Sequence, residues 1–393
     1  MSRTSSQALP KTSSSQVLPQ RKETSKVWIS KQKHEVEDIM KELPLHVREG
    51  PSKTGSKMIP LKSAVSEASL KTSVDFVVED NRYIWSNRLM TRSNTTALRK
   101  EFMKHKKYKP PDYTYDACKK HEEKNRYDDV ICIDATRVIL KDRPPDDDYI
   151  HANWMIMPDN QKYICTQGPI QETLEDFWHM TFTEKGTVIV MLCAFMEGKN
   201  EKCALYHPKT KNECGKFGPY RVYLKETRPN ISVSVKHLVL SVKKDRKYSL
   251  DVHHLSCTEW PDHTAPFDAG PIVRMMKMAR LLAKGNPIIV HCSAGIGRSA
   301  TFIGIDYAMQ KIKEDSNTSM VEVMKDLRNQ RFQSIQGIIQ YIFLHICVLE
   351  AFADEGIIER KGKYKKYMAD YNRMLTLFNK KVAAKMKQQE EKK

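Results

Sequence analysis

The order of apolar and polar positions along the chain predicts alternating strands and helices. Short apolar runs typical of buried strands occur at residues 187–192, 232–235 and 287–290. Stretches with apolar residues every three or four positions predict helices, and these cover residues 269–284, 299–312 and 321–331. Strands that alternate with helices in this way indicate an α/β or α+β domain built on a mixed sheet.

The most apolar stretch of the chain, residues 338–353, predicts one more helix. It is interrupted by Gln340, His345 and Glu350, and it is too short to span a bilayer. We therefore expect a core helix at this position and no transmembrane segment.

The two ends of the chain differ in composition from its middle. Residues 1–94 form a basic extension rich in Ser, Thr and Lys, and this composition predicts a mostly disordered arm. A transient amphipathic helix in that arm is favoured by the spacing of Val36, Ile39, Met40 and Leu43. Residues 356–393 form a basic tail that can continue as a helix past Gly362.

The charge of the chain is strongly positive, with a formal net charge of +18. The C-terminal stretch from residue 359 contributes twelve Lys or Arg against four Asp or Glu. Such a tail could contact acidic partners or an anionic membrane, but most charge runs are solvated and no specific nucleic-acid partner is predicted. Nine cysteines without a CxxC pair, and a polar N-terminus without a secretory leader, favour the cytoplasm, with the nucleus as the alternative.

One loop carries the most informative chemistry. Cys292 and Arg298 are separated by five mostly small residues, between the apolar run 287–290 and a helical pattern. Gly295 and Gly297 allow a tight turn whose N–H groups, with the start of the helix, favour a bound anion. The same positive field favours the thiolate of Cys292, and Arg298 can bind two oxygens of a phosphoryl group. The loop can therefore both hold and attack phosphorus.

A structural cysteine beside a glycine turn is the alternative interpretation of this loop, and the spacing of Cys292 and Arg298 alone does not exclude it. The combination of strand, loop and helix favours the phosphate site. It assigns phosphate binding to Ser293, Ala294, Gly295, Ile296, Gly297 and Arg298.

With this loop, the chain resembles the protein tyrosine phosphatase family, in its non-receptor, phosphotyrosine-specific branch. The stretch Trp260-Pro261-Asp262-His263 resembles the family's mobile loop, and residues 124–130 resemble its substrate-recognition segment. The resemblance implies a phosphatase domain at residues 95–355, with the cysteine phosphatase fold of a twisted mixed sheet flanked by helices. It implies no metal and no cofactor.

The resemblance also implies a role for the residues of the two recognised segments. Asp262, with Trp260 beside it, would be the general acid that protonates the departing phenolate. Tyr127 would stack on the substrate ring as the wall of a deep slot, and Asp129 would accept a hydrogen bond from the substrate backbone. Taken singly, the same residues also fit a surface turn and an ordinary half-buried tyrosine.

Further matches complete the expected site. Glu197 would orient the Arg298 guanidinium, and Lys202 would brace the phosphate site. Ser299 would be a further catalytic residue, and His291 would support the loop at residues 292–298, here called the cysteine loop. A glutamine pair would position the water that hydrolyses the cysteinyl phosphate. These two glutamines are Gln336 and Gln340.

The chain departs from the family at a few positions. Thr264 stands where glycine is usual, and a β-branched residue there resists positive φ and could stiffen the hinge of the mobile loop. The other departures remove no catalytic group; they are Cys257, Ala300, Ser334 and Gly337.

The sequence therefore predicts a protein tyrosine phosphatase that acts on phosphotyrosine-containing proteins through a cysteinyl-phosphate intermediate. Two alternatives stay open. One is a catalytically weak pseudophosphatase that only binds phosphotyrosine, and the other is an electrostatic scaffold whose basic tails carry the function.

Overall fold

The computed structural model describes residues 79–390, apart from Val233, residues 245–247 and His263. The predicted disordered arm up to residue 78, with its amphipathic stretch at residues 36–43, lies outside the described residues.

Nine α-helices are present in the described residues, joined by three short 3-10 helices at Glu122–Lys124, Asp134–Thr136 and Gln171–Thr173. The α-helices are α1 (Asn81–Arg92), α2 (Thr95–His105), α3 (Asp116–Lys120), α4 (Leu174–Thr183), α5 (Gly270–Ala283), α6 (Arg298–Glu314), α7 (Met320–Gln330), α8 (Ile338–Asp354) and α9 (Lys363–Glu390).

Nine of the eleven strands found in the same residues form one sheet, in the order β1-β2-β3-β11-β4-β10-β9-β8-β7. The strands are β1 (Arg137–Ile139), β2 (Tyr149–Ile156), β3 (Lys162–Thr166), β4 (Val188–Met191), β5 (Met196–Glu197), β6 (Asn200–Glu201), β7 (Cys214–Phe217), β8 (Tyr220–Ser232), β9 (Val235–Lys243), β10 (Ser249–Cys257) and β11 (Ile288–His291).

The centre of the sheet is parallel and its two sides are antiparallel. Strand β11 pairs in parallel with β3 and β4, so that Ile289 lies between Ile164 and Ile189. Strand β10 continues the parallel part on β4, whereas β2, β9 and β8 add antiparallel neighbours. The predicted mixed sheet flanked by helices is thus confirmed. The parallel arrangement places the carboxyl end of β11, where Cys292 follows, at the edge where open α/β sheets bind ligands.

The predicted elements agree closely with the observed ones, with one exception. The predicted strand at residues 232–235 is wrong, because Ser232 ends β8 and pairs with Val235 at the start of β9. The short alternation of Ser and Val is therefore the place where two long strands reverse. The apolar stretch from residue 338 forms α8, which is buried along almost its whole length. No helix among the described residues is long and apolar enough to cross a membrane.

Helix α1 extends the folded unit before residue 95. Asp80 caps the helix by accepting a hydrogen bond from the N–H of Arg82. Trp85 is buried, stacks near His345 of α8 and donates its indole N–H to the carbonyl of Thr318 at 3.2 Å. This part of the predicted N-terminal extension therefore packs on the domain as a helix.

Helix α9 extends the folded unit beyond residue 355. Residues 363–380 of this helix carry a stripe of buried side chains at helical spacing, while the basic side chains of the same residues are exposed. The helix also makes polar contacts with α2. Asp370 accepts hydrogen bonds from the N–H and hydroxyl of Thr95 at the start of α2. The buried residues of the stripe are Tyr364, Tyr367, Tyr371, Leu375 and Phe378.

Two buried histidines are held in the neutral form. His151 lies beneath the cysteine loop, where burial and the neighbouring Arg331 lower its pKa to about 3. Arg331 donates from Nη2 to Nδ1 of His151 at 3.1 Å, which requires that nitrogen to be unprotonated. Burial lowers the pKa of His291, the last residue of β11, to about 4.

We predict that truncating the α9 stripe destabilises the domain. Leu375 is 0% exposed, whereas its neighbour Leu377 is 36% exposed. Leu375→Ala should lower the free energy of unfolding by about 2–5 kcal/mol, because it opens a cavity between α9 and the core. The control Leu377→Ala should change it by less than about 0.5 kcal/mol. Urea unfolding measures both, and equal effects would contradict the packing of α9.

We also predict that acid weakens the fold before the carboxylates titrate. A histidine with a lowered pKa binds its proton only in the unfolded chain between pH 6.5 and its folded value, so stability falls as pH falls through that window. Each of His151 and His291 should cost about 2 kcal/mol between pH 6.5 and pH 5. His151→Gln should make the pH dependence of urea unfolding correspondingly shallower. A wild-type stability that is flat over this range would contradict the burial of neutral histidines.

Candidate active site

The loop after β11 is shaped by its outward-facing carbonyls. Every carbonyl from residue 293 to residue 297 accepts a hydrogen bond from outside the loop. The donors are the N–H of Gly168 to Ser293 (2.8 Å), Nη2 and Nε of Arg331 to Ala294 and Gly295 (3.2 and 3.0 Å), the N–H of Ile335 to Ile296 (2.9 Å) and the N–H of Thr301 to Gly297 (3.0 Å). Because C=O and N–H point in opposite directions across a trans peptide, the N–H groups of the loop face inward.

Gly295 is required by both its backbone angle and its surroundings. Its φ is +69°, and a Cβ built on it would lie 2.1 Å from the carbonyl oxygen of Thr166. Its N–H donates to Sγ of Cys292 at 3.2 Å. A side chain at this position would therefore push the loop off β3 and remove a donor from the sulfur.

Cys292 lies at the bottom of a narrow pocket with only 3% of its surface exposed. The predicted site residues come from five separate segments of the chain, and four of these segments contribute side chains or backbone to the pocket. The pocket is lined by Tyr127, Asp262, Cys292, Ser293, Ala294, Gly297, Arg298 and Gln336.

Arg298, the first residue of α6, is 1% exposed and is held from three directions. Its Nη1 donates to Glu197 at 2.6 Å and to the carbonyl of Trp260 at 2.8 Å, and its Nη2 lies 3.3 Å from Oδ1 of Asp262. Burial opposes the charge, but the negative charges of Asp262, Cys292 and Glu197 raise the pKa of Arg298 above its usual value. Its Nε and Nη2 have no hydrogen-bond partner among the described residues, so both can bind an anion in the pocket.

The loop at residues 258–269, here called the acid loop, places Asp262 in the pocket that Cys292 also lines. Oδ2 of Asp262 accepts a hydrogen bond from Nζ of Lys202 at 2.8 Å, and Lys202 is itself 2% exposed. Burial disfavours the lysine charge, but Asp262 raises the pKa of Lys202 overall. Trp260 is fully buried and donates its indole N–H to the carbonyl of Thr264 at 2.9 Å, which closes the loop on itself.

Tyr127 forms one wall of the pocket. Its hydroxyl lies 2.7 Å from Oγ of Ser293, and its ring packs with Val130, Ala294 and Ile296. Burial raises the pKa of Tyr127, so that its hydroxyl stays neutral. Asp129 lies two residues further on, partly exposed, and its carbonyl accepts a hydrogen bond from Nε2 of Gln333 at 3.1 Å.

The two predicted glutamines occupy different environments. Gln336 lines the pocket. Gln340 does not line it; its Oε1 accepts a hydrogen bond from the N–H of Gly337, and its amide lies so close to Gly297 that a Cβ there would be 2.7 Å from Nε2. Gln340 therefore supports the back of the cysteine loop in this structure.

His291 and Ser299 flank the loop at its two ends. His291 Nδ1 lies 3.1 Å from the carbonyl of Cys292, and its Nε2 lies 2.8 Å from the hydroxyl of Tyr206. Tyr206 also contacts Nε2 of His254 at 2.6 Å. Ser299 is fully buried in the first turn of α6, and its hydroxyl has no hydrogen-bond partner within the described part of the chain.

The positions that depart from the family lie around the site and leave its polar groups in place. Ser334 donates its hydroxyl to the carbonyl of Arg331 at 2.7 Å, and Gly337 is the N-cap of α8. Cys257 is buried at the end of β10, and Ala300 is buried in α6. The hydroxyl of Thr264 donates to Oδ1 of Asn379 on α9 at 3.2 Å.

Sequence reasoning missed three residues that support the site: Arg331, Tyr206 and His254. Each of them supports the site through contacts between residues that are distant along the chain. No sequence motif predicts these contacts. No group of three or more His, Cys, Asp or Glu side chains that could hold a metal ion occurs in the described residues.

Comparisons with known proteins agree with this geometry. The family model for protein-tyrosine phosphatase matches residues 121–350. Tyrosine-protein phosphatase non-receptor type 20 of Rattus norvegicus is 33% identical over 316 residues, which are 77% of this chain and 74% of that protein. Receptor-type tyrosine-protein phosphatase C of Homo sapiens is 33% identical over 235 residues, which are 58% of this chain but only 18% of that protein.

The fold of this chain is also similar to that of solved phosphatase structures. A structure of PTPN18 in complex with HER2 phosphopeptides superposes with a TM-score of 0.63 at 28% sequence identity. The match covers 69% of this chain and 98% of that one. The sequence, the fold and the arrangement of the pocket together show that this chain belongs to the protein-tyrosine phosphatase family.

Proposed function

We propose that this protein hydrolyses phosphotyrosine in proteins through a cysteinyl-phosphate intermediate on Cys292. One observation carries the proposal: a buried cysteine, an arginine whose Nε and Nη2 make no hydrogen bond within the described residues and a carboxylic acid line the same pocket. This arrangement offers a nucleophile, an anion cradle and a proton donor within one small volume.

The first half of the reaction follows from these positions. The phosphoryl group is held by the loop N–H groups and by Nε and Nη2 of Arg298. The Cys292 thiolate attacks phosphorus, the S–P bond forms, and the bond to the tyrosine oxygen breaks with its electron pair on oxygen. Asp262 gives its proton to that oxygen, so tyrosine leaves as a neutral phenol.

The second half restores the enzyme. Water attacks the cysteinyl phosphate, the S–P bond breaks and the thiolate is released, while Asp262 takes the proton from the attacking water. Gln336 is the glutamine placed to orient this water, since it lines the pocket. Inorganic phosphate then leaves, and the protonated Asp262 is ready for the next substrate.

The depth of the pocket supports selectivity for tyrosine. Cys292 is almost fully covered, and Tyr127 walls the approach to it. A flat aromatic side chain is long enough to carry its phosphate down to the sulfur, whereas phosphoserine is not. The structure of PTPN18 in complex with HER2 phosphopeptides supports the proposal, because these ligands belong to the chemical class that we propose as substrate here.

The state of the cysteines supports an intracellular site of action. All nine are free thiols in the structure, and eight are buried. A thiolate nucleophile needs such a reducing setting, and we therefore place the protein in the cytoplasm.

We predict that Cys292→Ser abolishes hydrolysis of a phosphotyrosine peptide but leaves binding of the peptide largely intact. The serine hydroxyl is a far weaker nucleophile, while the loop and Arg298 still hold the phosphate. The control is Cys214→Ser on β7, which should keep wild-type turnover. A matched phosphoserine peptide should not be hydrolysed by the wild type.

Other outcomes of this assay would contradict the proposal. Turnover that survives in Cys292→Ser would show that another group attacks phosphorus. A wild type that binds the phosphotyrosine peptide but never releases phosphate would establish the pseudophosphatase alternative.

We further predict that Asp262→Asn selectively slows substrates with poor leaving groups. The amide keeps the shape of the carboxyl but cannot donate its proton, so kcat on a phosphotyrosine peptide should fall by about 10²- to 10⁴-fold. On 2,4-dinitrophenyl phosphate, whose phenolate leaves unprotonated, the first step should be much less affected. The comparison uses kcat/KM, which reports only on the first step, and an equal loss of kcat/KM on both substrates would mean that Asp262 is not the acid.

A further inference from the structure

Helix α9 contacts the acid loop directly, at two polar points. The hydroxyl of Tyr371 donates to the carbonyl of Pro266 at 2.6 Å. The hydroxyl of Thr264 donates to Oδ1 of Asn379 at 3.2 Å. Thr264 and Pro266 follow Asp262 by two and four residues, so α9 holds the half of the loop that leads away from the acid.

The same helix reaches the other half of the loop through aromatic rings. Trp260 packs edge-to-face on Phe343 of α8, with centroids 5.0 Å apart. Phe343 in turn stacks on Tyr371, with centroids 6.2 Å apart. Tyr371 therefore contacts one end of the loop by a hydrogen bond and the other by a chain of packed rings. Burial raises the pKa of Tyr371 well above its usual value, which keeps the hydroxyl protonated as a donor.

The surroundings of the two polar contacts are not filled by packed side chains. A cleft of about 490 Å³ lies between the acid loop, the start of α5 and Asn379. On the loop side it is lined by Pro261, Thr264, Ala265, Pro266 and Phe267. The loop can therefore move into this space, and the specific contacts to Tyr371 and Asn379 act against such movement.

Helix α9 itself is fixed to the rest of the domain by contacts that do not involve the acid loop. Asp370 binds Thr95 on α2, and Nζ of Lys363 donates to Asn87 and Thr91 on α1 at 2.9 and 3.0 Å. The hydroxyl of Tyr364 donates to Glu350 on α8. The helix can thus serve as a fixed support on which the loop rests.

We propose that Tyr371 and Asn379 are positioning residues that hold the acid loop closed, with Asp262 over Cys292. This proposal rests on the proposed function of Asp262 as the acid. Thr264 has a role in it: the residue that stands where the family usually has glycine supplies the hydroxyl that binds Asn379. The C-terminal helix then sets how much of the enzyme has its proton donor in place.

The experiment compares Tyr371→Phe, Asn379→Ala and the double variant with a matched control, Tyr364→Phe. The control removes a hydroxyl from the same buried stripe of the same helix, but from a contact with Glu350 and not with the loop. Each lost hydrogen bond should lower kcat on a phosphotyrosine peptide by about 2- to 10-fold, with KM little changed. The double variant should lose more, and Tyr364→Phe should keep wild-type kcat.

A second substrate separates loop closure from general damage. Turnover of 2,4-dinitrophenyl phosphate needs less help from the acid, so its first step should be much less sensitive to Tyr371→Phe and Asn379→Ala. A purely structural defect, such as a distorted phosphate cradle, would lower kcat/KM, which reports only on the first step, for both substrates together. That result, or wild-type kcat in the double variant, would overturn the proposal.

Hydrogen exchange tests the contact without relying on activity. Amides of residues 258–269 should exchange faster in the double variant than in Tyr364→Phe, while amides of β11 and α6 should be unchanged. Unchanged exchange in the acid loop would overturn the proposal even in an active enzyme. Conversely, an inactive wild type with faster loop exchange in the variant would refute the proposed function and leave the role of α9 standing.

Discussion

The site depends on one buried charge, the guanidinium of Arg298. Placing a full charge where 1% of the side chain meets solvent is costly unless it is paired. Glu197, Asp262 and the carbonyl of Trp260 supply that pairing from two other segments, the β5–β6 hairpin and the acid loop. The arginine therefore fixes the positions of these segments as much as they fix it. Removing either carboxylate would leave the buried guanidinium with only one carboxylate partner.

The cysteine loop is also fixed by partners from other segments, but here the partners bind peptide dipoles and not a full charge. Its carbonyls are all engaged from behind, two of them by the single side chain of Arg331. The inward N–H groups are then held in place before any anion arrives, so binding requires little reorganisation of the protein. The same arginine binds His151 and Asn153 on β2, which ties the loop to the sheet through neutral partners. Arg331 thus places a positive charge against the cysteine loop although it does not itself line the pocket.

Much of this arrangement could be predicted from the sequence, because its central parts are contiguous. Cys292 and Arg298 lie in one loop between a predicted strand and a predicted helix, and the short motif of Asp262 resembles the family's mobile loop. Arg331 and Tyr206 could not be predicted in this way, since their contacts cross long distances along the chain. The helical spacing of the apolar residues from Tyr364 to Phe378 is present in the sequence, but the many lysines around them favour the interpretation of a solvated tail. Gln340 packs on Gly297, and its role at the hydrolytic water stays a prediction, because shared helical spacing does not determine which face reaches the pocket.

The charges around Asp262 link substrate binding to the chemistry that follows. Nζ of Lys202 and Nη2 of Arg298 both lie within ion-pair distance of the Asp262 carboxyl group, and two neighbouring cations favour the ionised form of a carboxyl group. A general acid must instead carry a proton. In the proposed reaction the bound phosphoryl group brings negative charge to Arg298 and occupies its Nε and Nη2. The cationic field on Asp262 is then offset by the substrate itself, and a carboxyl group beside a phosphate dianion favours protonation. The substrate thereby helps to prepare the acid that completes the cleavage of its own ester bond.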